Sequence, residues 1–449
     1  MTTDIAIIGA GFAGLTAARQ VKAAGLSFKI LEARDRVGGR IHTHYLDDET
    51  YVDLGGQWIG PTQDKIYELT RHYGVSTFET YNQGKNILAL NDRIKTYTGL
   101  IPKLSIPALL NLDFALKKLE RLAKKTDLHA PWNTPDAAKL DAQTLATFLD
   151  KMVKFKSARA VMDAGLETVF AATPAEISLL FALFYIKSGT SLDCLLNIDN
   201  GAQQDRFIGG AQTIPNKMAA ELGDDVLLEH PVLRIAQTKN GVEVFGEKFR
   251  LTAQKAIVAI PPPLAARIQY DPALPARRDQ LTQRMPMGTV IKCYAIYDKP
   301  FWREQGFSGQ AVTDHRFAVQ TVFDNSPHDA SKGMLMGFSL ANRARKLLRL
   351  SPEERQKIIL ENFTRLFGKA AARPVYYIDK SWADEPWSRG CYTGILPPGV
   401  WTGFAQNFRE PCGHLHWAGT ETAEVWNGYI DGAIRSGERA AAEVIRACS

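Results

Sequence analysis

Cys391 lies in "PWSRGCYTGILP" (386–397), between a glycine and a tyrosine. An unpaired cysteine is usually a small buried hydrophobe. A thiolate, however, can add to an electron-poor ring position where the surroundings favour its deprotonation. Lys292 lies in "TVIKCYAIY" (289–297), a strand-like run in which alternation could simply point it at solvent. Held inside instead, it would set a fixed cation that could stabilise developing negative charge. Tyr392 and Tyr429 could each be an ordinary core or surface aromatic, and their spacing alone assigns them nothing.

The element that would position such groups against a cofactor is written at the start of the chain. "DIAIIGAGFAGLTAARQVKAAGLSFKILEARD" (4–35) reads as a strand over 4–8, a glycine turn, a helix closing at Gly25 and a second strand over 28–31. Gly9, Gly11 and Gly14 hold the G-x-G-x-x-G positions, which serve a tight turn, close approach of backbone to a pyrophosphate, and close helix–strand packing. The helix N-terminus offers free N–H groups to phosphate. Glu32 ends the second strand where a carboxylate can accept from a ribose hydroxyl. The pattern implies a dinucleotide without separating NAD from FAD. Gly38, Gly39 and Arg40 add a flexible turn and a phosphate-neutralising cation, although an exposed basic turn would read the same way.

The bulk of the chain suits a soluble two-domain protein: 449 residues, 45% hydrophobic and 23% charged. Lys plus Arg is 54 against 48 for Asp plus Glu, with no basic block beyond short lysine pairs, so no nucleic-acid partner is expected. The five cysteines are scattered, without metal-ligand or disulfide-framework spacing, which implies no metal site and a reducing compartment. The longest greasy stretch, "ISLLFALFYI" (177–186), falls short of the roughly 20 residues needed to span a bilayer and reads as a buried helix. With structure expected from about Asp4 and no apolar tail after "VIRACS", a cytoplasmic protein with no membrane attachment is the expectation. "LDFALKKLERLAKK" is an amphipathic helix, while "VLLEHPVLRIAQTKNGVEVFG" and "KAIVAIPPP" are strand-like. No internal repeat or low-complexity linker is evident.

"LEARDRVGGR" (31–40), "DLGGQWIGPTQ" (53–63), "PMGTVIKCYAIYDKPFW" (286–302), "RGCYTGILPPG" (389–399) and "WAGTETAEVWNGYIDGAIRSGERAA" (417–441) together resemble the flavin-containing amine oxidases, and among them the monoamine oxidases. The likeness covers nearly the whole chain, in the family's order. The eukaryotic members continue into a membrane-anchoring helix; no such anchor is expected here, so membrane attachment is not carried over. The resemblance implies an α/β fold: a doubly wound, Rossmann-like FAD-binding domain (1–77, 208–281 and 385–449) and a discontinuous α+β substrate domain (78–207 and 282–384). It also implies molecular oxygen as a reactant and, as the family's habit, a homodimer.

By the same resemblance Cys391 carries FAD covalently, Lys292 faces the flavin through a water and helps oxygen react, and Tyr392 and Tyr429 form the aromatic cage. Further cofactor contacts are implied at Arg34, Gly39, Arg40, Gly56, Gln57, Trp58, Val232, Trp382, Gly419, Thr420, Glu421 and Gly428. The pocket wall would comprise Trp58, Thr168, Leu196, Gln203, Gln320 and Phe338, all uncharged. Thr168 and Gln320 stand where the family's pattern suggests larger apolar residues, so a more polar entrance is expected. The implied activity is oxidative deamination of primary amines with apolar or aromatic bodies, giving aldehyde, ammonia and hydrogen peroxide. Rival readings on the same fold are an amino-acid oxidase, a polyamine oxidase, and a non-catalytic escort protein. The last would have no use for Cys391, Lys292 and the tyrosine pair together.

Overall fold

The computed structural model describes residues 1–47, 50–91, 93–99 and 103–448. Its first sheet is built around the strand Thr2–Ile8, which pairs in parallel with Phe28–Leu31 on one side and Arg250–Val258 on the other. Val226–Leu227 and Leu415–Trp417 extend the parallel part, and Arg234–Thr238 and Gly241–Phe245 add an antiparallel flank. Alternation decides the layering. Ile5 and Ile7 face the cluster that contains the helices Phe12–Ala23 and Ile430–Cys448, whereas Ala6 and Ile8 face the opposite cluster with Val244, Val258 and Trp417. The two helices touch closely: a Cβ on Gly437 would lie 2.3 Å from the Ala13 carbonyl oxygen. The first helix stops at Ala23, two residues short of Gly25, whose φ of +77° cannot continue it.

The second sheet has seven strands in the order Tyr376–Ser381, Val290–Tyr297, Gly333–Leu340, Thr321–Asp324, Phe307–Thr313, Lys85–Leu90 and Arg93–Tyr97. Every residue of Val290–Tyr297 and of Gly333–Leu340 is buried. Ile291, Cys293 and Ala295 pack with Ile359 and Phe363 of the helix Pro352–Phe367, while Val290, Tyr294 and Ile296 pack with Phe338, Trp382 and Cys391. Lys292, sharing the parity of the second set, is thereby carried inward.

A third body of apolar packing joins the helices Ile106–Lys124, Leu145–Met152, Lys156–Phe170 and Leu179–Ser188. The last of these is the greasy stretch. It begins at Leu179 because Ser178 caps it, its side chain accepting the Phe181 N–H at 3.3 Å. Among the described residues no helix is long and apolar enough to cross a membrane, and no His/Cys/Asp/Glu group could hold a metal ion.

Candidate active site

Where the two sheets approach, a cavity of about 340 Å³ extends from the glycine turn to an aromatic end. Gly9, Gly11, Glu32, Arg34, Gly39, Arg40 and Val232 line the first part. Gly56, Gln57, Trp58, Lys292, Phe338, Trp382, Cys391, Tyr392, Gly419, Thr420, Gly428 and Tyr429 continue the wall, and Thr168, Leu196 and Gln203 complete it. Segments hundreds of residues apart thus share one space.

The glycine turn fits a dinucleotide on its own geometry. Gly11 has an ordinary φ of −76°, and a Cβ built on it meets no protein atom within 4 Å. Neither backbone strain nor packing asks for glycine there. What its bare Cα leaves is room for a ligand, as pyrophosphate against a helix N-terminus requires. Gly14 is different: it does not line the cavity, and its Cβ would lie 1.9 Å from the Gly9 carbonyl oxygen, so it serves helix–strand packing. Glu32 is 3% exposed; its carboxylate accepts the Ala10 N–H at 2.8 Å and the Arg34 N–H at 3.1 Å, which fixes it beneath the turn.

Two further residues expected at the site stand off the wall, as Gly14 does. Glu421 is buried behind Arg40, which donates to its two oxygens at 2.6 and 3.1 Å and to the Tyr392 carbonyl at 2.8 Å. It therefore reaches the cavity only through Arg40. Gln320 is fully buried and is not a wall residue. Its N–H bonds the Phe338 carbonyl at 2.8 Å and its Nε2 donates to the Ala164 carbonyl at 3.2 Å, so it is tied into the sheet and the helix Lys156–Phe170. Of the two residues behind the expected polar entrance, Thr168 lines the cavity and Gln320 does not; Gln203 is a further polar side chain on the wall. Thr168 itself donates to the Ala164 carbonyl at 2.7 Å, whereas Gln203 Oε1 is buried without a partner.

Lys292 has all three ammonium protons placed. Nζ donates to the Asp53 carbonyl at 2.6 Å, the Gly55 carbonyl at 2.9 Å and Gln57 Oε1 at 2.6 Å. Burial pushes its pKa down to about 7, against the upward pull of the Asp53 charge. Cys391 is 5% exposed, and burial pushes its thiol up to about 12, with Arg40 pulling the other way. A pocket that by itself favours the thiolate was the expectation; the protein groups alone hold the thiol protonated, because desolvation outweighs the nearby cations. The Cys391–Tyr392 peptide bond is cis.

Tyr392 and Tyr429 are each braced by another ring. Tyr392 meets Phe338 edge-on at 5.8 Å and Tyr429 meets Trp426 at 5.0 Å. Tyr185, in the greasy helix, also lines the cavity, and its ring lies 6.2 Å from that of Tyr429. Burial raises its pKa well above the ordinary phenol value. A Cβ on Gly428, whose φ is +85°, would lie 2.5 Å from the Tyr185 hydroxyl. Tyr185, Tyr294 and Asn325 escaped the sequence reading; the one available signal was the Tyr185 hydroxyl in the otherwise apolar run 179–186.

The cavity offers one end to a dinucleotide and the other to a small molecule, with no nucleophile–base pair between them. That division defines an oxidoreductase whose difficult chemistry is done by a bound cofactor. A family model for flavin containing amine oxidoreductases matches residues 12–445, and the chain belongs to that family. It is 40% identical over 446 residues to a protein of Dictyostelium discoideum described as a probable flavin-containing monoamine oxidase A, covering 98% of this chain and 97% of that one. Wild-type putrescine oxidase bound to putrescine matches with a TM-score of 0.94 and 34% identity over 99% of each chain. Cyclohexylamine oxidase from Brevibacterium oxydans IH-35A matches with a TM-score of 0.95 and 32% identity, again over 99% of each. The protein is an FAD-dependent amine oxidase, with a small amine and oxygen as reactants.

Proposed function

We propose that this enzyme deaminates primary monoamines with apolar or aromatic bodies, releasing aldehyde, ammonia and hydrogen peroxide, and that Cys391 attaches FAD covalently. The observation that carries the substrate class is the charge of the wall. Glu32, under the nucleotide turn, is the one carboxylate among the lining residues. A second ammonium, as in a diamine, would sit there without a counter-ion, at a cost of several kcal/mol. A substrate carboxylate at the aromatic end fares no better: Arg40 is engaged by Glu421, Arg34 by Glu32 and Glu385, the protons of Lys292 are spent on protein oxygens, and Arg267 belongs to the 208–281 segment of the proposed FAD-binding domain.

Bound FAD supplies the two-electron acceptance from the carbon bearing the amine and the transfer of those electrons to oxygen. The chain's part is placement. Tyr392 and Tyr429 present ring faces to a neutral amine, and a wall with no carboxylate at that end favours its unprotonated form. Lys292 sets a cation where charge would gather on oxygen. Arg40 lines the nucleotide half and, through the Tyr392 carbonyl, anchors the peptide that follows Cys391. Cofactor binding in putrescine oxidase has been redesigned with an alanine-to-cysteine substitution, which supports a cysteine as a cofactor-binding element on this fold.

The proposed domain division is supported by the sheets: every strand of the first lies within 1–77, 208–281 and 385–449, and every strand of the second within 78–207 and 282–384. Five free cysteines support a reducing, cytoplasmic setting. The test of the substrate class is a peroxide-coupled comparison of benzylamine, tyramine, phenethylamine, hexylamine, putrescine and leucine. The monoamines should lead in kcat/KM; putrescine or leucine ahead of all four would refute the reading of the pocket.

A further inference from the structure

The Lys292 ammonium sits in a cradle whose third wall can turn. Two of its acceptors, the carbonyls of Asp53 and Gly55, are backbone and cannot change sense; the third, Gln57 Oε1, belongs to an amide that could flip. A neutral amine has two N–H groups and a lone pair, so three oxygens around Nζ favour the ammonium form. Burial opposes this, and the two forms come into balance near pH 7. The sense of the Gln57 amide therefore decides both where the cation sits and how firmly it holds its proton.

Two side chains outside the earlier reading control that amide. Gln57 Nε2 donates to Asn325 Oδ1 at 2.5 Å. Were Gln57 flipped, its NH2 would face the ammonium and its oxygen would face Asn325 Oδ1, replacing two hydrogen bonds by two repulsions. The Asn325 backbone is fixed, its N–H bonding the Met334 carbonyl at 2.7 Å and its carbonyl accepting from the Arg206 side chain at 3.0 Å, and its Nδ2 faces the Tyr294 hydroxyl at 3.5 Å, which leaves Oδ1 for Gln57. Tyr294, two residues along the strand from Lys292, spends its hydroxyl proton on the same two oxygens, reaching the Asp53 carbonyl at 2.7 Å and Gln57 Oε1 at 2.8 Å. It thus competes with the ammonium for its acceptors.

We propose that Asn325 and Tyr294 are positioning residues that act through Gln57 in opposite senses, Asn325 holding the acceptor toward Lys292 and Tyr294 sharing it away. The proposal rests on Lys292 facing bound flavin. The other charges felt by Lys292 are the Asp53 carboxylate and the Cys391 thiol, which favour the cation, and Arg206, which opposes it. Asp53 is tied to Thr43 Oγ1 at 2.5 Å and the Ala211 N–H at 3.0 Å, and a thioether at Cys391 would not titrate.

The test uses the holoenzyme and two readouts: pH titration of the visible absorbance of oxidised flavin, and the rate constant for reoxidation by oxygen after anaerobic reduction. A spectral transition near pH 7 should be present in the unmodified enzyme and absent in Lys292→Met. Tyr294→Phe should move it to higher pH and Asn325→Leu to lower pH, each by roughly half a pH unit, about threefold in the proton equilibrium. Asn325→Ser serves if the leucine variant does not fold. A transition that survives in Lys292→Met, shifts of the same sign in both variants, or no shift in either would overturn the proposal. Lys292→Met reoxidising at the normal rate while the two opposite shifts persist would instead remove the oxygen role and leave the cradle standing.

Discussion

Replacing Glu421 by Gln should lower the melting temperature by about 3 °C without changing the shape of the site, and the number follows from the geometry of one buried pair. Arg40 meets Glu421 through two hydrogen bonds, at 2.6 and 3.1 Å. The side chains are 19% and 1% exposed respectively. Gln keeps the size of Glu and an oxygen able to accept the Gly394 N–H, a bond of 3.2 Å in the unmodified chain. What it removes is the charge, leaving a buried guanidinium without a counter-ion. Breaking one side of such a pair costs about 3–5 kcal/mol. The part of Arg40 that reaches the cavity keeps some solvent, which places the cost near the lower end, about 3 kcal/mol. Unfolding entropy for a chain of 449 residues is on the order of 0.9 kcal/mol per degree, hence about 3 °C if the chain melts as one unit.

The pH dependence has a definite sign. Burial alone would raise the Glu421 pKa, but Arg40 outweighs it and holds the carboxyl below its ordinary value of 4.5. A carboxylate whose folded pKa lies below its unfolded one contributes fully above the unfolded value and loses that contribution as pH falls through the folded value. The penalty in Glu421→Gln should therefore be constant between about pH 6 and 8 and shrink in acid. Arg40 is raised above its ordinary value by the same partner and stays charged throughout. Scanning calorimetry at several pH values measures this, with Arg40→Met/Glu421→Met as the control that removes both charges and should recover more than half the loss. A fall below about 1 °C, or a penalty that grows in acid, would refute the account of the pair.

Three other outcomes are expected. Acid precipitation of the holoenzyme should leave the yellow colour in the pellet, and Cys391→Ala should release it to the supernatant; release from the unmodified protein would refute covalent attachment. Gly11→Ala should leave the apoprotein's stability within about 1 kcal/mol, because the added methyl meets no protein atom, yet weaken FAD binding tenfold or more, as read by flavin titration. Gly428→Ala combines a φ of +85° with a Cβ 2.5 Å from the Tyr185 hydroxyl. It should cost about 2–4 kcal/mol and lower kcat/KM by displacing Tyr185 from Tyr429. An unchanged kcat/KM with lowered stability would mean that Tyr429 does not depend on Tyr185.

The nucleotide end was legible because its signals are local. Strand, turn and helix follow one another within the first 31 residues, and the second strand lies at Phe28–Leu31 as the pattern required. The aromatic end was legible only through resemblance. Val290–Tyr297 shows why: with a helix covering one face and the cavity the other, all eight residues are buried, and the polar–apolar alternation that would reveal a face is gone. Such a strand cannot say which way Lys292 points. Gln320 failed for a related reason. It lies just before the strand Thr321–Asp324 with its N–H on the Phe338 carbonyl, yet its side chain is buried against the Ala164 carbonyl and does not line the cavity that Phe338 lines.

What stayed wholly illegible was the second tier of residues, and here the physics is the reverse of the glycine turn. Gly11 can be read from sequence because its role depends on what it lacks. Tyr294 and Asn325 act through hydrogen bonds to Gln57, a residue about 237 and 268 positions away, respectively. No spacing rule links them, and each taken alone is an ordinary buried polar side chain. Only the count of donors against acceptors around one ammonium distinguishes them. By the same count Lys292 would make a poor binding site for anions: its protons are already committed to three protein oxygens. A substrate carboxylate could recruit it only by displacing one of them, and two of those three are backbone carbonyls that have no other conformation to offer.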